Sequence, residues 1–468
     1  MADSDIPARK QAAGPSSLIP RLLFSRVEVW IVLLLLLIGI IAAIGFGALV
    51  LRAEREDVQP GQLSKAAVAV AEIPQTAKRI LAGDNEMRVW GSKRDQPAPA
   101  GWIFPSGPIT GPGGYLLLSR YDGDENRQKL ELVSLPSMRT VFTWGVKASD
   151  LRKDVSHVSR FTEPSNWDDA HFRPIHPLLE ENGDLIVKDF DTPLFRVDPC
   201  GKPVWALEDA VYHHSTESDA DGNLWIPSTA ERASIGSVND KFREDRITEV
   251  SPSGKLLFAK SVPDILLRHG YANWLFSTYN NDPTHLNDIQ PVLADGRYWK
   301  KGDLFLSMRN LSTIMLYRPS TDEIVWIKRG PWMVQHDVDI LDDHRISIYD
   351  NGAEERAPEQ PFFDSSSQVM IYDFKTSKIS MPLQRAMNDN GIRTWTEGLS
   401  TQLPDGSMLI EAPNEARLII FRADGGIAAE YANRAKDGWL YHLGWSRYID
   451  QATGDAALNS LRKVRCNA

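Results

Sequence analysis

The sequence holds only two cysteines, Cys200 and Cys466, among 468 residues. That is too few for a disulfide-stapled scaffold or a four-cysteine zinc centre. It has no run of Lys or Arg, and its formal net charge is −10, so neither nucleic acid nor an anionic membrane surface is an expected partner. HExxH and His-x-His are both missing, which removes the usual zinc signatures. Long segments of 3.6 periodicity are missing beyond residue 88, which argues against an α/β fold. What is present is ordinary globular material, 42% hydrophobic and 24% charged, with 14 Trp, 29 Pro and Gly-rich turns that lean towards β structure.

One apolar run stands out. Val29–Leu51 is free of charge, and at ~1.5 Å per residue a helix of that length crosses a bilayer core of about 30 Å. A cleaved signal peptide is the rival reading, with an apolar region of only about 7–15 residues. Arg9, Lys10, Arg21 and Arg26 precede the run, and Arg52, Arg55 and Lys65 follow it. This weak positive-inside bias places the N-terminus in the cytoplasm. The expected organisation is a cytoplasmic tail (1–28), a transmembrane helix (29–51), a stalk or linker (52–87) and a domain (88–468) in the periplasm, anchored in a bacterial inner membrane by a single pass. Cys200 and Cys466 are either a disulfide of that oxidising compartment or two buried thiols.

A recurring unit fills the rest. LFRVDPCGKPVWAL from Leu194, ITEVSPSGKLLFAK from Ile247 and IMLYRPSTDEIVWIK from Ile314 are three of six such segments. Each is an alternating strand, a Pro/Gly/Ser/Asp turn and a second strand, which is a β-hairpin pattern. A further turn and strand precedes each hairpin, as in ENGDLIV, ADGNLWI and KKGDLFLS. A four-stranded unit recurring six times predicts an all-β, six-bladed β-propeller. Asp219-x-Asp221-Gly222-Asn223 imitates the start of a calcium loop. It lacks the Gly and Glu that an EF-hand needs further on, so its carboxylates read as turn formers.

His176, His214, His285 and His336 share one place in this repeat, shortly before the first turn of a unit, and His213 stands beside His214. Equivalent positions on innermost strands converge on a propeller axis, so the repeat predicts a histidine-lined pocket. Zinc is one possible occupant, but no carboxylate stands in ligand spacing. His285-Leu-Asn287 adds an amide donor, and Arg309 adds a planar cation suited to a tetrahedral oxyanion. Histidine, Asn and Arg without acids describe a sulfate or phosphate site better than a metal site.

These pieces, HLND from His285, LFLSMRN ending at Asn310, QHDVDILDDHRISIYDNG from Gln335, YHHSTESDADGNLWI from Tyr212 and STQLPDGSMLI from Ser400, resemble the arylsulfotransferase (arylsulfate sulfotransferase, ASST-like) family over roughly residues 110–450. The resemblance implies a six-bladed propeller outside the cytoplasm. It also implies sulfuryl transfer that is independent of PAPS, from an aryl sulfate donor to a phenolic acceptor. No cofactor or metal is implied. On the matching motifs His336 is the nucleophile that becomes sulfated, and His285, Asn287 and Arg309 are its anion-binding neighbours. His213 or His214 supplies another group. The stretch Tyr349–Phe363 has no counterpart in the family pattern.

The chemistry agrees with the residues. Sulfuryl transfer spreads charge over three oxygens, which cationic and amide donors stabilise, and a covalent sulfohistidine gives ping-pong kinetics. His336 inward implies Asp337 outward by strand alternation. Tyr212, Trp332 and Trp395 are candidates to stack on aryl rings. A transferase acting through the same site on an envelope glycan or lipid, and a non-catalytic scaffold of an envelope complex, are the competing functions.

Overall fold

In the computed structural model each hairpin supplies two neighbouring antiparallel strands, and the strand before it pairs with the first of them. The structure describes residues 28–54, 61–82, 85, 87–89, 99–105, 113–135, 137–236, 238, 241–277, 280–355, 361–363 and 366–466. The chain divides into two units, Met1–Lys78 and Arg79–Ala468. In the N-terminal part, helix Val29–Glu54 is long and apolar enough to cross a membrane, a test that a signal sequence also passes. A second helix, Gln62–Ala82, follows. The expected cytoplasmic tail falls almost wholly on residues outside those described.

The β-domain is propeller-like. Four sheets of four or five strands stand separately. One joins Arg447–Ile449 to the three strands between Tyr115 and Trp144. Two contain Leu286–Pro291 through Glu323–Arg329 and Val338–Ile340 through Lys378–Ser380. The fourth contains Leu399–Gln402 through Ile427–Ala432, with Gly101–Ile103 added at its edge. The strands between Leu178 and Ser261 form a single eight-stranded sheet. Six separate blades, as read from the sequence, are therefore not what is found. Strand Pro203–Tyr212 runs for 10 residues, long enough for Val211 and Tyr212 to pair with Thr229 and Ser228 as well, which merges two repeats. Ala353–Glu355 and Pro361–Phe363 form an extra two-stranded ribbon in the stretch without a family counterpart.

Burial explains why the middle strands are continuously apolar rather than alternating. Leu304, Leu306 and Met308 pack into one inter-sheet core while Phe305 points into the next. A strand covered on both faces has no polar side, and each such side chain contributes roughly 1.5–3 kcal/mol. At Gly183, φ is +89° and a Cβ would lie 2.6 Å from Leu461, so the turn before the second strand admits only glycine. Asp219 accepts the backbone N–H groups of Asp221 and Asn223 at 2.8 and 2.9 Å, the turn-forming role read from its sequence. Cys200 and Cys466 are joined by a disulfide.

The first strands and the residues leading into them are hydrogen-bonded from sheet to sheet. His176 N–H donates to Gly444 O (3.0 Å) and Ser215 N–H to Asn287 O (3.2 Å). Thr216 N–H donates to His176 Nδ1 (3.3 Å), Val338 N–H to Asp288 Oδ2 (3.0 Å) and Ser400 N–H to Asp337 Oδ2 (2.9 Å). Trp445 N–H reaches Glu411 Oε1 at 2.7 Å, and burial lifts the Glu411 carboxyl to about 7. Non-glycine residues adopt the left-handed conformation just before these strands: His176, His214, His285, Val334, Glu397 and Trp445. Each carries a cost of about 1–2 kcal/mol.

Candidate functional site

Three of these left-handed residues, His214, His285 and Glu397, line a pocket of about 520 Å³ whose wall also includes His213, Arg309 and His336. His214 is central: its ring centre lies 5.0 Å from His285 and 6.2 Å from His336. Its left-handed turn is held from behind by Lys188, which is fully buried. Lys188 Nζ donates to the carbonyls of His214 (2.6 Å) and Ile175 (3.2 Å) and to Thr216 Oγ1 (2.8 Å).

His336 is buried and fixed at both ring nitrogens. Asn351 Nδ2 donates to the carbonyls of Thr394 and Glu397, each at 2.8 Å. That sets the amide orientation, so Asn351 Oδ1 accepts from His336 Nδ1–H at 2.8 Å. The lone pair is therefore on Nε2, where it receives the Glu397 N–H at 2.8 Å. Burial and the nearby Arg309 cation hold His336 well below the usual histidine range, so the ring is neutral. His285 is half-buried, with Nδ1 2.5 Å from Asp282 Oδ2. Arg309 follows strand Leu304–Met308; its N–H donates to His285 O (3.0 Å) and its Nη1 to Asn310 Oδ1 (2.8 Å).

Several expected residues stand elsewhere. His176 does not line the pocket; it is packed edge-on against Trp445, 5.2 Å between ring centres, with Nδ1 occupied by Thr216 N–H. Asn287 is fully buried and donates to Gln335 O at 3.2 Å, so it braces the residue before His336. Tyr212 is a core residue whose hydroxyl donates to Asp209 at 2.6 Å. Trp332 fills an inter-sheet core, and Trp395 does not line the pocket, its backbone N–H donating to Asn414. Asp337 is absent from the pocket wall, as alternation requires, but it is buried rather than outward.

The pocket also contains carboxylates that the sequence reading did not expect: Asp191, Asp245, Asp282 and Glu397. Each is partnered. Glu397 is held by a two-pronged ion pair with Arg173 (2.5 and 3.2 Å) and Asp191 by Arg243. Asp282 is held by His285 and Asp245 by His213. Phe190 supplies the aromatic wall, 5.0 Å from His214 and beneath the Arg173 guanidinium. The missed residues had one usable signal. Glu397 occupies the place before a first strand that histidines hold elsewhere.

A family profile described as arylsulfotransferase (ASST) matches residues 176–434, a span containing His176, His213, His214, His285, Arg309 and His336. No curated protein matches the chain. Among solved structures, a protein of unknown function from Bacteroides caccae is 10% identical, with 72% of this chain and 99% of that chain covered and a TM-score of 0.42. A virginiamycin B lyase from Staphylococcus aureus is 12% identical, covering 55% of this chain and 69% of that one at a TM-score of 0.33. A streptogramin B lyase is also 12% identical, covering 75% and 100% at a TM-score of 0.35. At these scores the likenesses carry no argument about activity. The profile spans more than half of the 468 residues, and the chain belongs to the arylsulfotransferase family, with the sulfotransferase function that membership supports.

Proposed function

We propose that the pocket moves a sulfuryl group from an aryl sulfate to a phenolic acceptor through a sulfohistidine on His336. The observation that carries this reading is the state of His336. It is a buried neutral imidazole with its proton fixed on Nδ1, beside a guanidinium and two further histidines. In the first half-reaction Nε2 attacks sulfur, the S–O bond breaks, and its electron pair leaves on the aryl oxygen. The acceptor oxygen then attacks sulfur, and the S–N pair returns to His336. The Glu397 N–H that occupies Nε2 at rest is released by the attack and left directed at the transferring group. Arg309 neutralises the developing charge on the sulfuryl oxygens. Phe190, rather than Tyr212, Trp332 or Trp395, offers the surface for an aryl ring.

The same reading counts the eight-stranded sheet as two blades joined at their edges, giving six. The succession of left-handed residues and sheet-to-sheet hydrogen bonds supports that count. Helix Val29–Glu54 serves as a single inner-membrane anchor with the propeller in the periplasm. The disulfide is in keeping with an oxidising compartment.

The test is to mix the protein with p-nitrophenyl sulfate in the absence of acceptor, quench in alkali and map the adduct by mass spectrometry. The expected result is a sulfuryl group on His336. An adduct on His214 or His285, or labelling that persists in His336→Asn, would overturn the assignment.

A further inference from the structure

Behind His214 lies a chain of groups whose protons follow from a carboxylate's inability to donate. Asp245 is buried, and its Oδ2 accepts from Thr284 Oγ1 and Leu286 N–H, both at 2.7 Å. Its Oδ1 faces His213 Nε2 at 3.4 Å, with Thr229 Oγ1 3.3 Å from the same nitrogen and 3.5 Å from Oδ1. An ionised carboxylate only accepts, so Thr229 Oγ1 donates to Asp245 Oδ1 and accepts from Nε2; the neutral His213 ring then carries its proton on Nε2 and its lone pair on Nδ1. That lone pair lies 2.9 Å from His214 Nδ1, so His214 carries its proton on Nδ1 and presents an unprotonated Nε2.

We propose that Asp245 and His213 are positioning residues which fix this tautomer, and that His214 is the base that takes the acceptor's proton. The proposal rests on the sulfuryl-transfer reading above. The acceptor O–H bond breaks, an N–H bond forms at His214 Nε2, and the freed oxygen pair attacks sulfur on His336. The positive charge then on His214 is shared through Nδ1–H to His213 and through Nε2–H to Asp245. The proton then passes to solvent, which restores the neutral resting base.

Two observations single out His214. Phe190, 5.0 Å away, places an aryl ring beside it. Around it stand His213, His285, His336 and Lys188, which together with burial hold it well below the usual histidine range and keep it a base at rest. Asp245, by contrast, is held at about 2, chiefly by His213 against the opposing effect of burial, and stays ionised.

The experiment has two arms on the full chain. In ¹⁵N-histidine spectra of the resting protein, His214 is expected to show a protonated Nδ1 and a bare Nε2, with His213 the reverse. In rapid-mixing kinetics with p-nitrophenyl sulfate, Asp245→Asn is expected to slow transfer to phenol by at least about 100-fold. The initial nitrophenolate burst, whose leaving group needs no proton, should change less than threefold. The loss should also shrink for more acidic phenols. A His214 proton on Nε2, or equal losses in both half-reactions, would overturn the proposal. A wild-type protein with the expected tautomers but no burst would support the relay and overturn the reaction.

Discussion

Replacing Asn351 by alanine separates the reactive state of His336 from mere packing. The side chain makes three hydrogen bonds, one from His336 Nδ1 and two to the carbonyls of Thr394 and Glu397. At about 1 kcal/mol each, their loss amounts to about 3 kcal/mol of stability. Urea unfolding should read this as a lower midpoint with an unchanged slope. The kinetic loss should be larger. Without Asn351 the Nδ1 proton loses its acceptor, and the Glu397 segment that donates to Nε2 loses the brace on its carbonyl, so both contacts that fix the tautomer weaken; a wrong tautomer costs about 10⁴-fold in the serine protease triad. We expect kcat for p-nitrophenyl sulfate to fall by about 10²–10⁴-fold. Asn351→Asp keeps an acceptor for Nδ1 but turns oxygens towards two carbonyls. It should therefore unfold as readily as the alanine variant while retaining more turnover. An alanine variant that is destabilised yet turns over within about threefold of wild type would refute the tautomer argument.

Three further outcomes follow. Arg309→Ala should lose about 10²-fold or more in kcat, the usual worth of one oxyanion donor, and Arg309→Lys should recover little of it, because an ammonium cannot reproduce the planar fork; near-normal rates for the lysine variant would reduce the role to charge alone. The neutral form of His336 reacts, and its folded pKa is depressed. Activity should thus persist as pH falls through about 6.5, the unperturbed value, and be lost only below it; a kcat/KM profile with its acid limb at or above 6.5 would contradict this. Cys200 and Cys466 are 266 residues apart, so chain-entropy reasoning puts the bridge at roughly 5–6 kcal/mol. Cys466→Ser should lower the urea midpoint accordingly, and an unchanged midpoint would show that the bridge adds nothing.

Legibility differed between the backbone and the pocket, for physical reasons. Hairpin turns are local, so the strands around Pro199–Gly201 and Pro319–Asp322 were visible as turn chemistry between alternating runs. Whether two hairpins share a sheet is not local. It depends on Val211 and Tyr212 pairing with Thr229 and Ser228 on the edge opposite Thr192, and no turn signal records that. In the pocket, His214, His285 and His336 were legible because they fall at one register, His213 as the neighbour of His214, and Arg309 as the cation that ends a strand. Asn287 and His176 share the pattern but are spent on neighbouring backbone, a difference that only the hydrogen bonds reveal. The carboxylates escaped notice because they serve through partners: Asp245 opens strand Asp245–Val250, far along the same repeat from His213, and meets it only in three dimensions. Asn351 was inside the DNG motif, but its bond to His336 crosses two strands.

The pairing of Arg447–Ile449 with Tyr115–Leu117 bears on how the chain is made. Tyr448 donates to Gly113 O across 335 residues of sequence, so this seam is among the last contacts available to a growing polypeptide. Until it forms, strand Tyr115–Asp122 presents an unpaired edge carrying Leu116, Leu117 and Leu118, a template for association with other chains. Contacts so distant in sequence form slowly. A chain released before residue 447 would keep that edge permanently. Short C-terminal deletions should therefore yield aggregates and proteolytic fragments rather than a shortened enzyme, however far the deleted residues stand from the pocket.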